Sequence, residues 1–142
     1  MATHVSLEGG CHCGAISLAF STSSVPADTA PRACDCSFCR AHGAAWISDA
    51  AGHLTLHAHQ PDRLRRYRQG SLAAQFLLCV DCGVLVAVVF EEDDRTYAAV
   101  NARCLDARDA FAPVVAVSPQ TLAPTEKTAR WRQVWIADVR WA

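Results

Sequence analysis

The chain contains 142 residues, of which 51% are hydrophobic, and its formal net charge at pH 7 is −1. This length and apolar content predict that residues 1–142 form a single domain with a substantial core. A net charge so close to zero indicates neither nucleic acid nor an anionic membrane surface as a partner.

Strands are expected to dominate, beginning with a hairpin near the N-terminus. Alternating apolar residues between positions 5 and 20 lie on both sides of GGCHCG, so the turn should carry the first two cysteines. Residues 32–36 are expected to be extended. Ser37 is predicted to cap a short helical turn that ends at Gly43, and AAWIS then resumes as a strand.

The next segment, HLTLHAH, alternates between apolar and polar residues and predicts a strand with one buried face. Its polar face carries His53, His57 and His59. Three histidines on one face can bind a metal, but a solvated face is the preferred interpretation because the cysteines are better ligands.

A basic segment, DRLRRYRQG, starts at Asp62 and is interpreted as an exposed strand, with anion recognition as the alternative. Two apolar runs then flank CVDC, which predicts a second hairpin with cysteines at its tip. Residues 84–90 are apolar on both faces, as in a central, covered strand. EEDD should form a turn before a further strand. Beyond Pro113 we expect irregular structure, with the last three tryptophans covering one edge of the core.

The eight cysteines indicate metal chemistry more than disulfides. The N-terminal residues show no basic segment followed by an apolar run, and no apolar run reaches the roughly 20 residues of a membrane span. These features predict a cytoplasmic protein without a membrane partner, in a compartment where thiols stay reduced. Seven cysteines form three tight clusters, and the lone Cys104 is interpreted as a small apolar core residue.

Two of the clusters predict a closed metal site. Each pair can bind one ion from a single loop, and zinc sites commonly combine two such pairs. Glycines at positions 14 and 83 follow the pairs and allow tight turns in which amide groups face the sulfurs. The predicted ligands of this structural zinc are Cys11, Cys13, Cys79 and Cys82.

The remaining cluster, CDCSFC, offers only three ligands: Cys34, Cys36 and Cys39. Alternation in an extended segment puts the first two on one side, and a following helical turn brings the third to them. Three thiolates on zinc leave one open position, as in catalytic zinc sites. The trio could instead recruit Cys104 or a histidine and become a second structural site, or remain three reduced thiols.

The segments GGCHCGA, CDCSFCR, YR, CVDCG and VNARCLD, in this order and spacing, resemble the glutathione-dependent formaldehyde-activating enzyme and centromere protein V family. They span residues 9–106. The resemblance implies a mainly β fold, a β-tent of antiparallel sheets, with one zinc held by four cysteines and another held by three. For the named enzyme it also implies addition of the glutathione thiol to formaldehyde, giving S-hydroxymethylglutathione.

The resemblance also suggests two further site residues. Arg40 matches the basic residue after the trio and is expected to hold an anionic group of the thiol. Asn101 matches the asparagine before LD and is expected to orient the carbonyl. The chain departs from many members at Asp35, where they carry histidine or asparagine, and at Ala41, where a second basic residue is common.

The resulting functional hypothesis is a zinc-dependent carbon–sulfur lyase whose partners are a small-molecule thiol and an aldehyde. An open zinc can lower the pKa of a bound thiol or polarise an aldehyde oxygen. The alternatives are a non-enzymatic binding module with two structural zincs and a thiol-based metal or redox sensor. One tight and one exchangeable zinc would favour the enzyme.

Overall fold

The structure, a computed structural model, describes residues 4–142 as two β-sheets with two α-helices. The strands in chain order are β1 (Val5–Gly10), β2 (Ile16–Thr22), β3 (Arg32–Cys34), β4 (Trp46–Ile47), β5 (His53–Ala58), β6 (Leu64–Tyr67), β7 (Gln75–Cys79), β8 (Leu85–Glu92), β9 (Arg95–Asn101), β10 (Val115–Val117) and β11 (Asp138–Trp141). The helices are α1 (Ser37–His42) and α2 (Pro124–Val134). One sheet has the order β1-β2-β5-β11 and the other β10-β3-β4-β9-β8-β7-β6. The prediction of a mainly β fold with short helical parts is confirmed.

Both predicted hairpins are present, and they belong to different sheets. β1 pairs antiparallel with β2, and β7 pairs antiparallel with β8. The turn of each hairpin carries one pair of cysteines, as the alternation of apolar residues predicted. Two edge strands depart from the antiparallel pattern, because β10 runs parallel to β3 and β11 runs parallel to β5.

The expectation of irregular structure beyond Pro113 was wrong. That segment forms the two parallel edge strands and α2. Pro124 stands in the first turn of the helix, where its missing N–H leaves no hydrogen bond unmade. Glu126 accepts a hydrogen bond from the backbone N–H of Ala123 at 2.9 Å. The proline therefore starts a helix here instead of interrupting one.

The hydrophobic core lies in two layers on the two faces of the seven-stranded sheet. Between the sheets, side chains such as Phe20, Leu56 and Val89 are almost fully buried. On the opposite face, Val88 and Phe90 pack beneath the helices. β8 contributes to both layers, which confirms the predicted central, covered strand.

The C-terminal tryptophans are divided between the core and the surface. Trp131 and Trp135 stack with ring centroids 4.7 Å apart, and Trp135 is buried. Trp141 is 41% exposed, so the prediction that all three cover the core was wrong for this residue. No helix within residues 4–142 is long and apolar enough to cross a bilayer.

The histidine face of β5 is largely exposed, as interpreted from the sequence. His53 Nδ1 lies 2.6 Å from Asp138 Oδ2, and His57 Nε2 lies 3.1 Å from His59 Nδ1. These histidines do not appear in any group of three or more converging metal-ligating side chains in the part of the chain that is described.

Candidate metal centres and active site

The four-cysteine cluster joins the tips of the two hairpins. The sulfurs of Cys11, Cys13, Cys79 and Cys82 all lie within 4.8 Å of one another. Glycines 14 and 83, with φ of 85° and 77°, provide the left-handed conformations that the two turns require. Two backbone amides then face sulfurs, from Ile16 to Cys11 at 3.2 Å and from Cys82 to Cys79 at 3.5 Å. The predicted turn geometry is therefore present.

The spacing of these sulfurs suits zinc. A tetrahedral site with Zn–S bonds of about 2.3 Å separates its sulfurs by about 3.8 Å. Cys13 Sγ lies 3.7 Å from Cys11 Sγ and 3.5 Å from Cys79 Sγ. Four thiol donors close to this spacing can hold one metal ion with no position left for another ligand.

The three-cysteine cluster is built from a single short segment. Cys34 ends β3, Cys36 stands immediately before α1, and Cys39 lies inside that helix. The helix begins one residue earlier than predicted, because Cys36 is the N-cap and Ser37 is the first helical residue. The Cys36 sulfur accepts a hydrogen bond from the backbone amide of Cys39 at 3.4 Å, which gives a ligand residue the role expected of serine. The helix ends at Gly43 as predicted.

Neighbouring side chains orient the sulfurs of this trio. Trp46 Nε1 donates to Cys39 Sγ at 3.4 Å, and Gln69 Nε2 donates to Cys36 Sγ at 3.9 Å. Phe38, in the same helix, packs against Phe76 of β7 with the rings tilted and their centroids 4.6 Å apart, which fixes the helix on the sheet. Donors to sulfur and packing of the supporting helix are the means by which proteins position metal ligands.

The electrostatics of the trio favour one thiolate within the group. The pKa of Cys34 is lowered to about 6, first because the Cys39 thiol stabilises the Cys34 thiolate by hydrogen bonding. The pKa of Cys39 is raised by the same interaction and by burial. The three sulfurs lie within 4.8 Å of one another and can hold a metal ion together.

The trio faces a cavity of about 470 Å³ on the helical side of the seven-stranded sheet. Phe76, Val88 and Trp46 line the sheet side of this cavity. Helix α2 and the residue after it line another side through Lys127, Arg130, Trp131, Val134 and Trp135. The four-cysteine cluster contributes no residue to this cavity.

A half-buried arginine also faces the cavity. Arg32 lies on β3, two residues before Cys34, and its Nη2 donates to Ser48 Oγ at 2.9 Å. The pKa of Arg32 is lowered, first by burial and then by the positive charge of Arg130 on α2. Two guanidinium groups from different elements therefore lie near each other beside the trio.

Arg40 and Asn101 differ in their relation to the cavity. Arg40 is exposed on α1 and does not line the cavity. Asn101 is buried, and its side chain bonds to the backbone. Its Oδ1 accepts from Ala45 N and Arg103 N, both at 3.2 Å, and its Nδ2 donates to Leu85 O at 2.8 Å. The Asn101 side chain thus holds the segment after α1 against the start of β8.

The remaining cysteine lies away from the trio. Cys104 is buried in the layer between the sheets, and its thiol donates to Val86 O at 3.6 Å. Burial raises its pKa to about 12. Its interpretation as a core residue is confirmed, and it is not positioned to complete the trio. Asp35 does not line the cavity, but its carboxylate accepts from Ser118 Oγ and Gln120 Nε2, two residues that do.

Sequence reasoning missed the supporting residues of the site. Trp46 and Gln69 lie outside the cysteine motifs, and only the tertiary structure brings them to the sulfurs. The basic face of α2 had a detectable signal. Lys127, Arg130 and Trp131 follow the spacing of one helical face after a proline and an acidic first turn.

Comparisons with known proteins agree with the cysteine pattern. The family model described as glutathione-dependent formaldehyde-activating enzyme matches residues 6–120, which include all three cysteine clusters. None of the curated proteins matches the chain. A crystal structure of a Rhodobacter sphaeroides protein is similar in fold, with 23% identity, a TM-score of 0.51 and coverage of 95% of this chain and 99% of that chain. Since the family match covers most of its length, the chain belongs to the glutathione-dependent formaldehyde-activating enzyme family.

Proposed function

We propose that the protein is a zinc-dependent carbon–sulfur lyase that condenses a thiol, glutathione or a similar compound, with formaldehyde or another small aldehyde. The observation that carries this proposal is the contrast between the two clusters. Four sulfurs complete one ligand set, whereas three sulfurs face a cavity large enough for a small substrate. The family membership supports the same chemistry.

The proposed reaction is an addition without a redox step. A bond forms between the thiol sulfur and the aldehyde carbon, the carbonyl π bond breaks, and the thiol proton ends on the former carbonyl oxygen. Cys34, Cys36 and Cys39 would hold the reactive zinc, while Cys11, Cys13, Cys79 and Cys82 would hold the structural one. When bound by the trio, zinc supplies a Lewis-acid centre with a coordination position for an external ligand.

Side chains around the trio restrain its sulfurs and limit the access of water. Trp46 and Gln69 donate to sulfurs of the trio and limit their movement. Phe76, Val88 and Trp131 give the cavity apolar walls that reduce the access of water to the reacting atoms. These residues orient the ligands and exclude solvent.

We assign different positions to the two residues suggested by the family resemblance. Arg40 is exposed one helical turn after the cavity-lining Ser37, so it is assigned to the outer part of the thiol substrate. Asn101 is assigned a positioning role, since its amide already bonds to three backbone groups. We place the reaction in the cytoplasm, because all eight cysteines are free and a reducing compartment keeps them so.

The function can be tested by the rate of adduct formation. Exchange NMR with glutathione and formaldehyde should show acceleration by the wild-type protein and by Cys104→Ser, whose hydroxyl can still donate to the Val86 carbonyl. Cys36→Ser should show only the uncatalysed rate while remaining folded. Equal rates with and without wild-type protein would reject the enzyme. Two inert zincs would then favour a binding module, and one zinc with three oxidisable thiols would favour a sensor.

A further inference from the structure

The cavity beside the trio contains three basic side chains: Arg32 on β3, and Lys127 and Arg130 on α2. The five ion pairs found among residues 4–142 all involve other groups. Arg32 is half-buried whereas Arg130 is exposed, and a guanidinium partly withdrawn from water, as that of Arg32 is, is stabilised by an anion whose carboxylate oxygens match its planar donors. These side chains therefore have charge available for a ligand.

Arg32 places its positive charge on the side of the cavity where the trio lies. Its Nη2 donates to Ser48 Oγ, and Ser48 Oγ donates in turn to Val134 O at 2.7 Å, which restrains the guanidinium. A guanidinium has five N–H donors, and the serine uses one of them. Arg32 and Cys34 are two residues apart on the same strand and so lie on one face, about 7 Å apart.

The charges in the cavity do not cancel. Three thiolates on zinc carry a net charge of about −1, whereas Arg32, Lys127 and Arg130 carry three positive charges. Asp35 does not line the cavity, but its carboxylate accepts from the cavity-lining Ser118 and Gln120 and adds one negative charge nearby, so the sum is still about +1. Neutralising the metal–thiolate group thus leaves positive charge for a substrate.

We propose that Arg32 and Arg130, assisted by Lys127, form a subsite for a carboxylate of the thiol substrate, so that the protein selects anionic thiols over neutral ones. This inference rests on the proposed function, because it assigns the subsite to the same substrate. Lys127 and Arg130 lie beyond residues 6–120, the part matched by the family model. The selectivity would therefore come in part from a helix outside the matched region.

The test compares two thiols that differ in the carboxylate. Binding of 3-mercaptopropionate and of 3-mercapto-1-propanol is measured from the spectrum of the cobalt-substituted protein. Arg130→Gln should weaken binding of the carboxylate thiol by about ten-fold or more and leave the neutral thiol almost unchanged, because a charge-assisted hydrogen bond is lost. The matched control is Arg132→Gln on the same helix, whose guanidinium pairs with Glu92 and does not line the cavity.

Several results would overturn the subsite. Equal weakening of the binding of both thiols by Arg130→Gln, no weakening of either, or the same loss in Arg132→Gln would each contradict it.

The subsite and the enzyme can also be tested separately. If the wild-type protein binds both thiols but forms no adduct with formaldehyde, the proposed enzyme activity fails, while selective weakening of carboxylate-thiol binding still supports the subsite. If neither thiol binds, quenching of tryptophan fluorescence by glutarate decides. Quenching that Arg130→Gln abolishes supports the subsite, and absence of quenching in the wild type rejects it.

Discussion

The two cysteine clusters offer the same kind of candidate ligand, the cysteine thiol, but are assembled in different ways. The four-cysteine cluster joins hairpins from different sheets, and its pairs are separated by more than 60 residues of chain. The trio comes from six consecutive residues at the junction of β3 and α1. By loop-closure entropy, a cross-link between segments 66 residues apart restricts the unfolded chain by about 2 kcal/mol more than one within a six-residue segment does. The first cluster should therefore govern the fold, and the second should govern the chemistry.

The largest effect is expected from breaking the four-cysteine cluster. Cys82→Ser removes one ligand, and apparent binding free energies for structural zinc of about 10–16 kcal/mol are comparable to the roughly 5–15 kcal/mol stability of a typical domain. We expect the variant to lose its cooperative melting transition. Circular dichroism and zinc analysis check this, and a zinc-free variant with wild-type melting would refute the structural assignment.

The matched change in the trio should spare the fold. Cys36→Ser should lose about one zinc per chain and keep a cooperative melting transition, because the hairpins stay joined through the other cluster. Zinc content and melting are measured on the same sample. Unfolding like that of Cys82→Ser would make the trio structural, and retention of two zincs would mean that another ligand replaces Cys36.

A smaller effect is expected from a group that only supports the trio. Trp46→Phe removes the N–H donor to Cys39 Sγ while keeping an aromatic ring. Loss of such a partner lowers metal affinity by about 10–100-fold, and we expect the low end of that range. Competition with a chelator measures it. Trp131→Phe, on the opposite wall of the cavity, is the control and should retain the affinity of the wild type.

The lone cysteine, Cys104, tests the distinction between metal-binding and core cysteines. Cys104→Ser should keep both zincs and lose about 1 kcal/mol in the free energy of unfolding, since a polar atom replaces a buried thiol that keeps its carbonyl partner. Zinc counting and chemical denaturation measure the two quantities. Loss of one zinc would contradict the assignment of Cys104 as a core residue that takes no part in metal binding.

The smallest effect is expected at an exposed ion pair away from both clusters. Arg132 contacts Glu92 through two bonds of 2.6 Å and, first through those bonds, lowers the pKa of Glu92 below its ordinary 4.5. The stabilisation from the Arg132–Glu92 pair is fully present above pH 4.5 and is lost as the pH falls through the lowered pKa of Glu92. Arg132→Gln should therefore melt slightly below the wild type at pH 7, and the gap should close at pH 2. A gap that widens in acid would contradict the assignment.

The sequence predicted most of the sheet structure because the alternation of buried and exposed residues is a local signal. Hairpins flanking the cysteine pairs and the covered strand at 84–90 followed from it directly. The parallel edge strands could not be predicted in this way, since each pairs with a strand far away in the chain. The end of the chain was misinterpreted because prolines were taken as breakers, whereas Pro124 starts α2.

The candidate site likewise has parts that the sequence predicted and parts that it did not. Motif spacing, together with the two predicted hairpins and the glycines after the pairs, grouped the seven cysteines into two sets, and the structure brings each set together. The cavity was not predictable, because it combines the trio with residues from β7, β8 and α2 that share no motif with it. The bonds from Trp46 and Gln69 to the sulfurs likewise depend on tertiary packing. Short-range spacing thus identifies ligands, whereas long-range contacts determine which substrate can reach them.

The most direct test of the open site is X-ray absorption at the zinc edge of the two-zinc protein, before and after addition of glutathione. Seven cysteine sulfurs shared by two ions average 3.5 sulfurs per zinc, and a bound thiol should raise that average to about 4 at a distance of about 2.3 Å. This increase should be absent in Cys36→Ser. An average of four sulfurs before addition, or no change afterwards, would contradict an open three-cysteine zinc.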